Sequence, residues 1–439
     1  MQALDRFFKY TERGSSLGTE VRGGLTTFLA MAYIIAVNPL ILADCGVPFA
    51  AGVTATCLGA AIMTIAMGIF ANRPLACASG MGINAVVAYS LATLAGCDWH
   101  VAMAVILIEG VVILLLVLCG LREAIMDAIP LALRQAIGVG IGLFIAFIGL
   151  KNGEVIVADS STFIAFGEVT NPAVIVALVS ILVTVVLYML KVKGEMLIGI
   201  IVAVIVGIPL GVTTLPTGIV GSLDFSTFGA PFMEAPDGQM ALIKALTEPT
   251  LLLFAFSLLM SDFFDTMGTA MAVAEQGDFI DEQGNVEDIK PILIVDSAAA
   301  VAGGLMGCSS ITTFVESTAG ASAGARSGLA SVTTGLLFLL AAFFSPLIAI
   351  VSSAATTGAL VMVGFLMMSG VTGIDWADAR GGFCAFITII GIPFTYSIAT
   401  GIGLGFVSYV IISVFTGRVK DVKPLMWVAA VAFFISFLL

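Results

Sequence analysis

Residues 307–325 read GCSSITTFVESTAGASAGA, and residues 74–90 read PLACASGMGINAVVAYS. Both sit among long apolar runs, and both change partway from small residues to a helix-like stretch. Neither reads as an uninterrupted membrane helix. Irregular backbone at membrane depth survives only where protein or water covers it. A pair of glycine-interrupted segments at matching positions in two halves of a chain is the sequence pointer to a transporter site. These segments are therefore expected to face each other around a cavity, with backbone N–H groups and half-helix dipoles aimed into it.

The rest of the chain supports that setting. Of its 439 residues, 60% are hydrophobic and only 10% charged, whereas a soluble domain averages about 25% charged. Apolar stretches long enough to cross a hydrocarbon core of roughly 30 Å fall at 20–42, 47–71, 98–120, 132–150, 171–190 and 195–212. A second set falls at 248–274, 288–306, 328–350, 355–371, 378–394 and 396–417. With the broken segments 74–95 and 310–326, the reading is an all-α polytopic membrane protein of seven plus seven spans. Because seven is odd, the second half (248–417) starts on the opposite side from the first (20–212), the condition for an inverted repeat.

Sidedness follows from the basic residues. With residues 1–19 in the cytoplasm, 15 of the 17 Lys and Arg residues fall inside, Arg122 among them, and only Lys151 and Lys244 fall outside. The positive-inside rule expects that sorting. Residues 213–247 are then a polar extracytoplasmic linker. Residues 418–439 are a basic loop and an apolar tail, of which 424–439 is long enough either to span or to lie at the interface. The acidic inner loop EQGDFIDEQGNVEDIK (275–290) reads as a solvated connector. The first twenty residues are charged and lack an apolar core, so no cleaved secretory signal is expected. The seven cysteines lack metal-ligand spacing and read as small packing residues. With His100 the single histidine, no histidine-based metal site is expected.

The informative residues are the acids at membrane depth. Charge at the bilayer centre costs roughly 2.5–3.5 kcal/mol per residue on insertion scales, yet SDFFDTMG (261–268) carries Asp262 and Asp265 three apart, on nearly one helix face. Glu316 falls near the start of the helical part of the second broken segment, and Asn84 holds the equivalent place in the first. Asp296 opens the ninth span as either a brace for the broken segment or a proton-linked group. Glu109 lies mid-span in the fourth with no neighbour assignable. Four carboxylates in spans eight to ten, without Lys or Arg at depth, need cations, protons or a ligand rich in N–H donors. That chemistry favours a proton-coupled carrier and disfavours an anion transporter.

Four blocks carry a family likeness: TEVRGGLTTFLAMAYIIAVNP (19–39), GMGINA (80–85), DFFDTMGT (262–269) and VDSAAAVAGGLMGCSSITTFVESTAGASAGARSGL (295–329). Together they resemble the AzgA-like purine permeases of the nucleobase–cation symporter-2 superfamily. The resemblance implies proton symport of adenine, guanine or hypoxanthine, a 7+7 inverted repeat, and short strands in the third and tenth spans. It implies a core domain (20–120 plus 248–350) and a gate domain (128–212 plus 355–417), and a homodimer formed through the gate. It assigns Asp262 to holding the base, Glu316 to reading its edge, and Asn84 to the pocket wall. Asp265 and Asp296 match positions tied to transport competence or proton coupling. GCSS stands where relatives often carry GTSS, so Cys308 lacks a hydroxyl.

Guanine's N1–H and 2-amino donors match the two oxygens of an ionised carboxylate, while adenine's donor beside an acceptor suits a protonated acid. Guanine or hypoxanthine is therefore favoured over adenine. Phe263, Phe264 and Phe314 are the candidate ring-stacking residues. The alternatives are a carrier of xanthine, uracil or another small solute on the same fold, and an intramembrane enzyme using Asp262 and Asp265 as a dyad. No nucleophile motif or cofactor loop accompanies that dyad. The expected setting is the cytoplasmic membrane, with a purine and the lipid bilayer as partners, no nucleic acid, no metal, and no cofactor besides the coupling proton.

Overall fold

The computed structural model describes residues 2–94, 96–120, 129–216, 218–281 and 286–438. Arg122 and positions 282–285 of the acidic loop lie outside the described residues, as does the side chain of Phe264. Among the described residues, ten helices are long and apolar enough to cross a membrane, and four shorter apolar helices accompany them.

In chain order, α1 (Gln2–Phe8) precedes α2 (Leu17–Met31), α3 (Ile34–Ala43) and α4 (Phe49–Ala66). Then come β1 (Cys77–Ser79), α5 (Met81–Val86), α6 (Trp99–Leu118) and α7 (Leu131–Asn152). A hairpin of β2 (Ile156–Asp159) and β3 (Phe163–Phe166) leads to α8 (Pro172–Met189) and α9 (Glu195–Gly207). The second half holds α10 (Ala241–Thr247), α11 (Pro249–Gly277), α12 (Ile289–Met306), β4 (Ile311–Thr313) and α13 (Ser317–Ser322). It ends with α14 (Gly328–Ala341), α15 (Ser353–Met367), α16 (Ala379–Phe394), α17 (Ile398–Phe415) and α18 (Pro424–Leu438).

Side chains fix several of these starts. The Ser16 hydroxyl accepts from Thr19 N–H, Asp98 from His100 and Val101 N–H, and Ser327 from Leu329 N–H. Each satisfies donors that the first helical turn leaves unpaired. The predicted span 20–42 is two helices: between α2 and α3 the hydrogen bonds tighten to three-residue spacing, from Ile35 to Ala32 and from Ala36 to Tyr33. The hairpin and α10 were not legible in the polar loops. Lys244 on α10 is buried and donates to Gly96 C=O (2.5 Å) and Asp237 Oδ2 (2.6 Å), anchoring the linker to the loop before α6. That hydrogen bond raises the lysine above its ordinary range.

Two sets of packing contacts dominate. Helix α12 lies on α6 and α4, α14 lies on α2 and α4, and α11 lies on α6 and α13. Separately, α7 packs on α15 and α16, α8 on α9 and α15, and α16 on α17. Helix α18 packs on α17.

The acidic inner loop is not a free connector. Arg73, itself buried, reaches Glu287 and Asp288, both at 2.8 Å, and its guanidinium stacks 4.5 Å from the Phe279 ring centroid. Arg326 pairs with Asp278 at 2.8 Å and bonds Ala321 and Ala325 C=O. The acid run is still a solvated connector, since the paired acids stay about half to three-quarters exposed, but it is tethered by partners far away in sequence, at 73 and 326. Nearby, the fully buried Glu20 accepts from Arg326 N–H (2.8 Å) and Ser327 N–H (3.3 Å), serving the start of α14.

Candidate functional site

The two broken segments meet. Strands β1 and β4 pair antiparallel, with Cys77 opposite Thr313, Ala78 opposite Thr312 and Ser79 opposite Ile311. Phe314 N–H donates to Ala76 C=O and Gly80 N–H to Ser310 C=O, both at 2.9 Å, extending the ladder at each end. A two-stranded sheet has two open edges, and unpaired backbone groups are costly away from water. Side chains occupy both. Thr64 on α4 accepts from Cys77 N–H and donates to Cys77 C=O, each at 2.9 Å. On the other edge, Asp296 on α12 accepts from Thr313 N–H at 2.9 Å.

Asp296 does more than close an edge. It also accepts from the hydroxyls of Thr266 (2.6 Å) and Thr312 (3.3 Å), tying α11, α12 and β4 together. Of the two roles left open by the sequence, bracing has direct geometric support. Gly303 permits the turn from α12 back to β4: a Cβ there would lie 2.0 Å from Ser309 O and 2.9 Å from Ile311 N. Gly303→Val is expected to push β4 off its helix, and overpacking of this kind costs about 1–3 kcal/mol. Thermal unfolding of the purified protein should fall by several degrees and uptake should be lost; an unchanged melting curve would contradict the packing.

The predicted residues gather around this pair. Asp262 on α11 is buried, and neither carboxylate oxygen has a hydrogen bond of ordinary geometry. It stands beside Thr312 of β4 and Glu109 of α6, within electrostatic reach of Asp296 and Asp265. One turn further along α11, Asp265 is exposed and lies within electrostatic reach of Asp296 and Glu316. Glu316, half-buried, immediately precedes α13, as the sequence suggested. Its Oε1 accepts from the buried Tyr33 hydroxyl at 2.7 Å, so one of the two oxygens is held. Asn84 on α5 is fully buried with neither amide atom paired. Phe263 and Phe314 are both buried, Phe314 directly after β4.

Tyr33, Thr64 and Thr266 escaped the sequence reading. A tyrosine or threonine in an apolar span gives no signal by itself; for Tyr33 the only sign is the helix break beside it, which hydropathy hides. Glu109, which the sequence leaves without a neighbour, lies beside Asp262.

Near the start of α11, polar groups bridge the two sets of helices. The Tyr89 hydroxyl donates to Asp44 Oδ2 (2.6 Å), and Asn152 at the end of α7 donates to Tyr89 Oη (3.2 Å). Lys151 lies 5.6 Å from the ring centroids of both Tyr89 and Tyr396. A cavity of about 450 Å³ beside this cluster is lined by residues including Tyr89, Thr250, Phe254 and Tyr396, and by none of the predicted site residues. The described residues contain no cluster of acids, histidines and cysteines fit to hold a metal ion.

Buried acids at a broken pair of membrane segments, in a bundle of spanning helices, define a membrane transporter rather than an enzyme. The chain belongs to the Xan_ur_permease family, described as the Permease family, whose model matches residues 18–439. It is 41% identical over 437 residues to a putative permease of Methanocaldococcus jannaschii, covering 100% of this chain and 98% of that protein. It is 40% identical to the guanine/hypoxanthine permease PbuG of Bacillus subtilis, covering 99% of each. Against the adenine permease AdeP of Escherichia coli identity is 38%, with 99% and 95% covered. Among solved structures, the fold is similar to the transmembrane domain of the cyanobacterial bicarbonate transporter BicA. The TM-score is 0.63 at 17% identity, covering 88% of this chain and 97% of that one. Murine Solute Carrier 26 family member A9, an anion transporter, gives 0.67 at 14% identity over 91% and 69%.

Proposed function

We propose that this protein is a proton-coupled secondary transporter importing purine nucleobases across the cytoplasmic membrane, with guanine and hypoxanthine favoured over adenine. The observation that carries this reading is Asp262: a buried carboxylate with both oxygens open, beside the strand pair. Two open acceptors on one group match the adjacent N1–H and 2-amino donors of guanine, and hypoxanthine offers the N1–H alone. Relatives along the full chain include permeases named for guanine/hypoxanthine and for adenine, which supports a purine and leaves the preference to the chemistry of the site.

In this reading Asp262 holds the base, Glu316 reads a second edge with the oxygen Tyr33 leaves open, and Asn84, Phe263 and Phe314 wall the pocket. Asp265 and Asp296 serve proton coupling, Asp265 as the acid open to solvent. Asp296 does so by linking its own protonation to the position of β4, since a protonated oxygen is a poorer acceptor for Thr313 N–H. The fourteen crossings form a 7+7 inverted repeat with a cytoplasmic N-terminus. Helices α2–α6 with α11–α14 make the core domain, and α7–α9 with α15–α17 the gate, through which two copies pair.

An uptake panel of five labelled bases, with and without a protonophore, tests this. Guanine and hypoxanthine should accumulate most and adenine less, and the protonophore should collapse accumulation. If uracil or xanthine competes and the three purines do not, the carrier serves another base.

A further inference from the structure

Glu109 has no role in the account above, yet its position is a costly one for a carboxyl group. It lies in the middle of α6, is fully buried, and neither carboxyl oxygen has a hydrogen bond of ordinary geometry. The groups facing it are acids: Asp262 from α11, close enough to interact directly, and Asp296 from α12. The hydroxyl of Ser310, leading into β4, lies alongside, itself buried and unpaired. Three acids and a hydroxyl are therefore neighbours in the packed interior, and among the described residues no cationic side chain acts on Glu109.

Two carboxylates in contact away from water cannot both stay ionised, because burial and mutual repulsion act in the same direction. One proton held between them leaves a single negative charge and turns one acid into an O–H donor toward the other. We propose that Glu109 carries the transported proton, sharing it with Asp262, so that base and proton occupy adjoining partners at one site. With the proton on Glu109, its O–H donates to Asp262, whose remaining acceptor capacity meets the N–H groups of the base. When the base leaves and water takes its place, the proton passes from Glu109 Oε to Asp262 Oδ and on to that water, which solvates the second charge until the next proton binds. The tight packing of α6 against α12 keeps water from short-circuiting the pair: a Cβ on Gly110 would lie 2.6 Å from Val301 N, and one on Gly304 2.8 Å from Leu107 N.

This inference rests on the proton-symport reading, and the test separates the two. Purified full-length protein in liposomes enclosing a pH-sensitive dye is given a hypoxanthine gradient, and labelled-for-unlabelled hypoxanthine exchange is measured in parallel. Wild type should acidify the lumen as base enters. Glu109→Gln should keep exchange within a few-fold of wild type and lose base-driven acidification; acidification at the wild-type ratio of proton to base overturns the role of Glu109. Wild type that exchanges hypoxanthine without acidification overturns proton symport itself. Should Glu109→Gln fail to insert, Glu109→Asp should retain coupling with a displaced pH midpoint, because a shorter acid meets Asp262 differently. An unmoved pH profile in that variant would leave Glu109 a packing residue.

Discussion

Asp262→Asn should abolish purine uptake while leaving the protein in the membrane at near-normal amount. The amide replaces one of two acceptor oxygens with a donor, and a donor faces the N–H groups of the base. Hydrogen bonds to a charged partner contribute about 1.5–3 kcal/mol each, so losing one weakens binding roughly 10- to 100-fold, and the opposed donors add repulsion. Folding should be spared for a specific reason. Asp262 makes no hydrogen bond of ordinary geometry, an O–H of Glu109 can still donate to the amide oxygen of asparagine, and the substitution removes a buried charge. Transport at the wild-type rate with this variant would take Asp262 out of the site.

The second large effect is expected at Glu316. Glu316→Gln keeps the size and can still accept from Tyr33 through its amide oxygen, but the outer oxygen becomes an NH₂ group. Uptake of guanine and hypoxanthine should fall to background, while Tyr33→Phe, which frees Glu316 to swing, should lower affinity by a smaller factor. The pair of variants distinguishes reading from positioning: equal losses in both would mean that Glu316 acts only by holding Tyr33. Base binding measured directly by calorimetry would show whether the loss lies in affinity or in a later step.

Most of this architecture is visible in the amino-acid order because the membrane simplifies the problem. Long apolar runs find the spans to within a few residues, as at 98–120 against Trp99–Leu118 and 288–306 against Ile289–Met306. The broken segments announce themselves through small residues, and each does contain a strand. What sequence could not show is pairing at a distance. Thr64 closing the edge beside Cys77, Tyr33 holding Glu316, and Arg73 holding Glu287 and Asp288 each join residues with no local pattern linking them. The same limit hid the neighbours of Glu109: α6 and α11 touch only in three dimensions. Hydropathy also reports no helix break when both halves are equally apolar, as across α2 and α3.

The strand pair has a consequence for how the chain is made. Its two members are separated by well over two hundred residues, with Ala78 opposite Thr312. A ribosome feeding the bilayer therefore releases β1 long before β4 exists, leaving polar main chain without its lasting partner amid lipid, served on one side by Thr64 alone. Truncated forms ending before residue 311 should thus be poor substrates for stable insertion and ready targets for quality-control proteases. Assembly of the strand pair belongs to the last third of synthesis, however early the opening helices enter the bilayer.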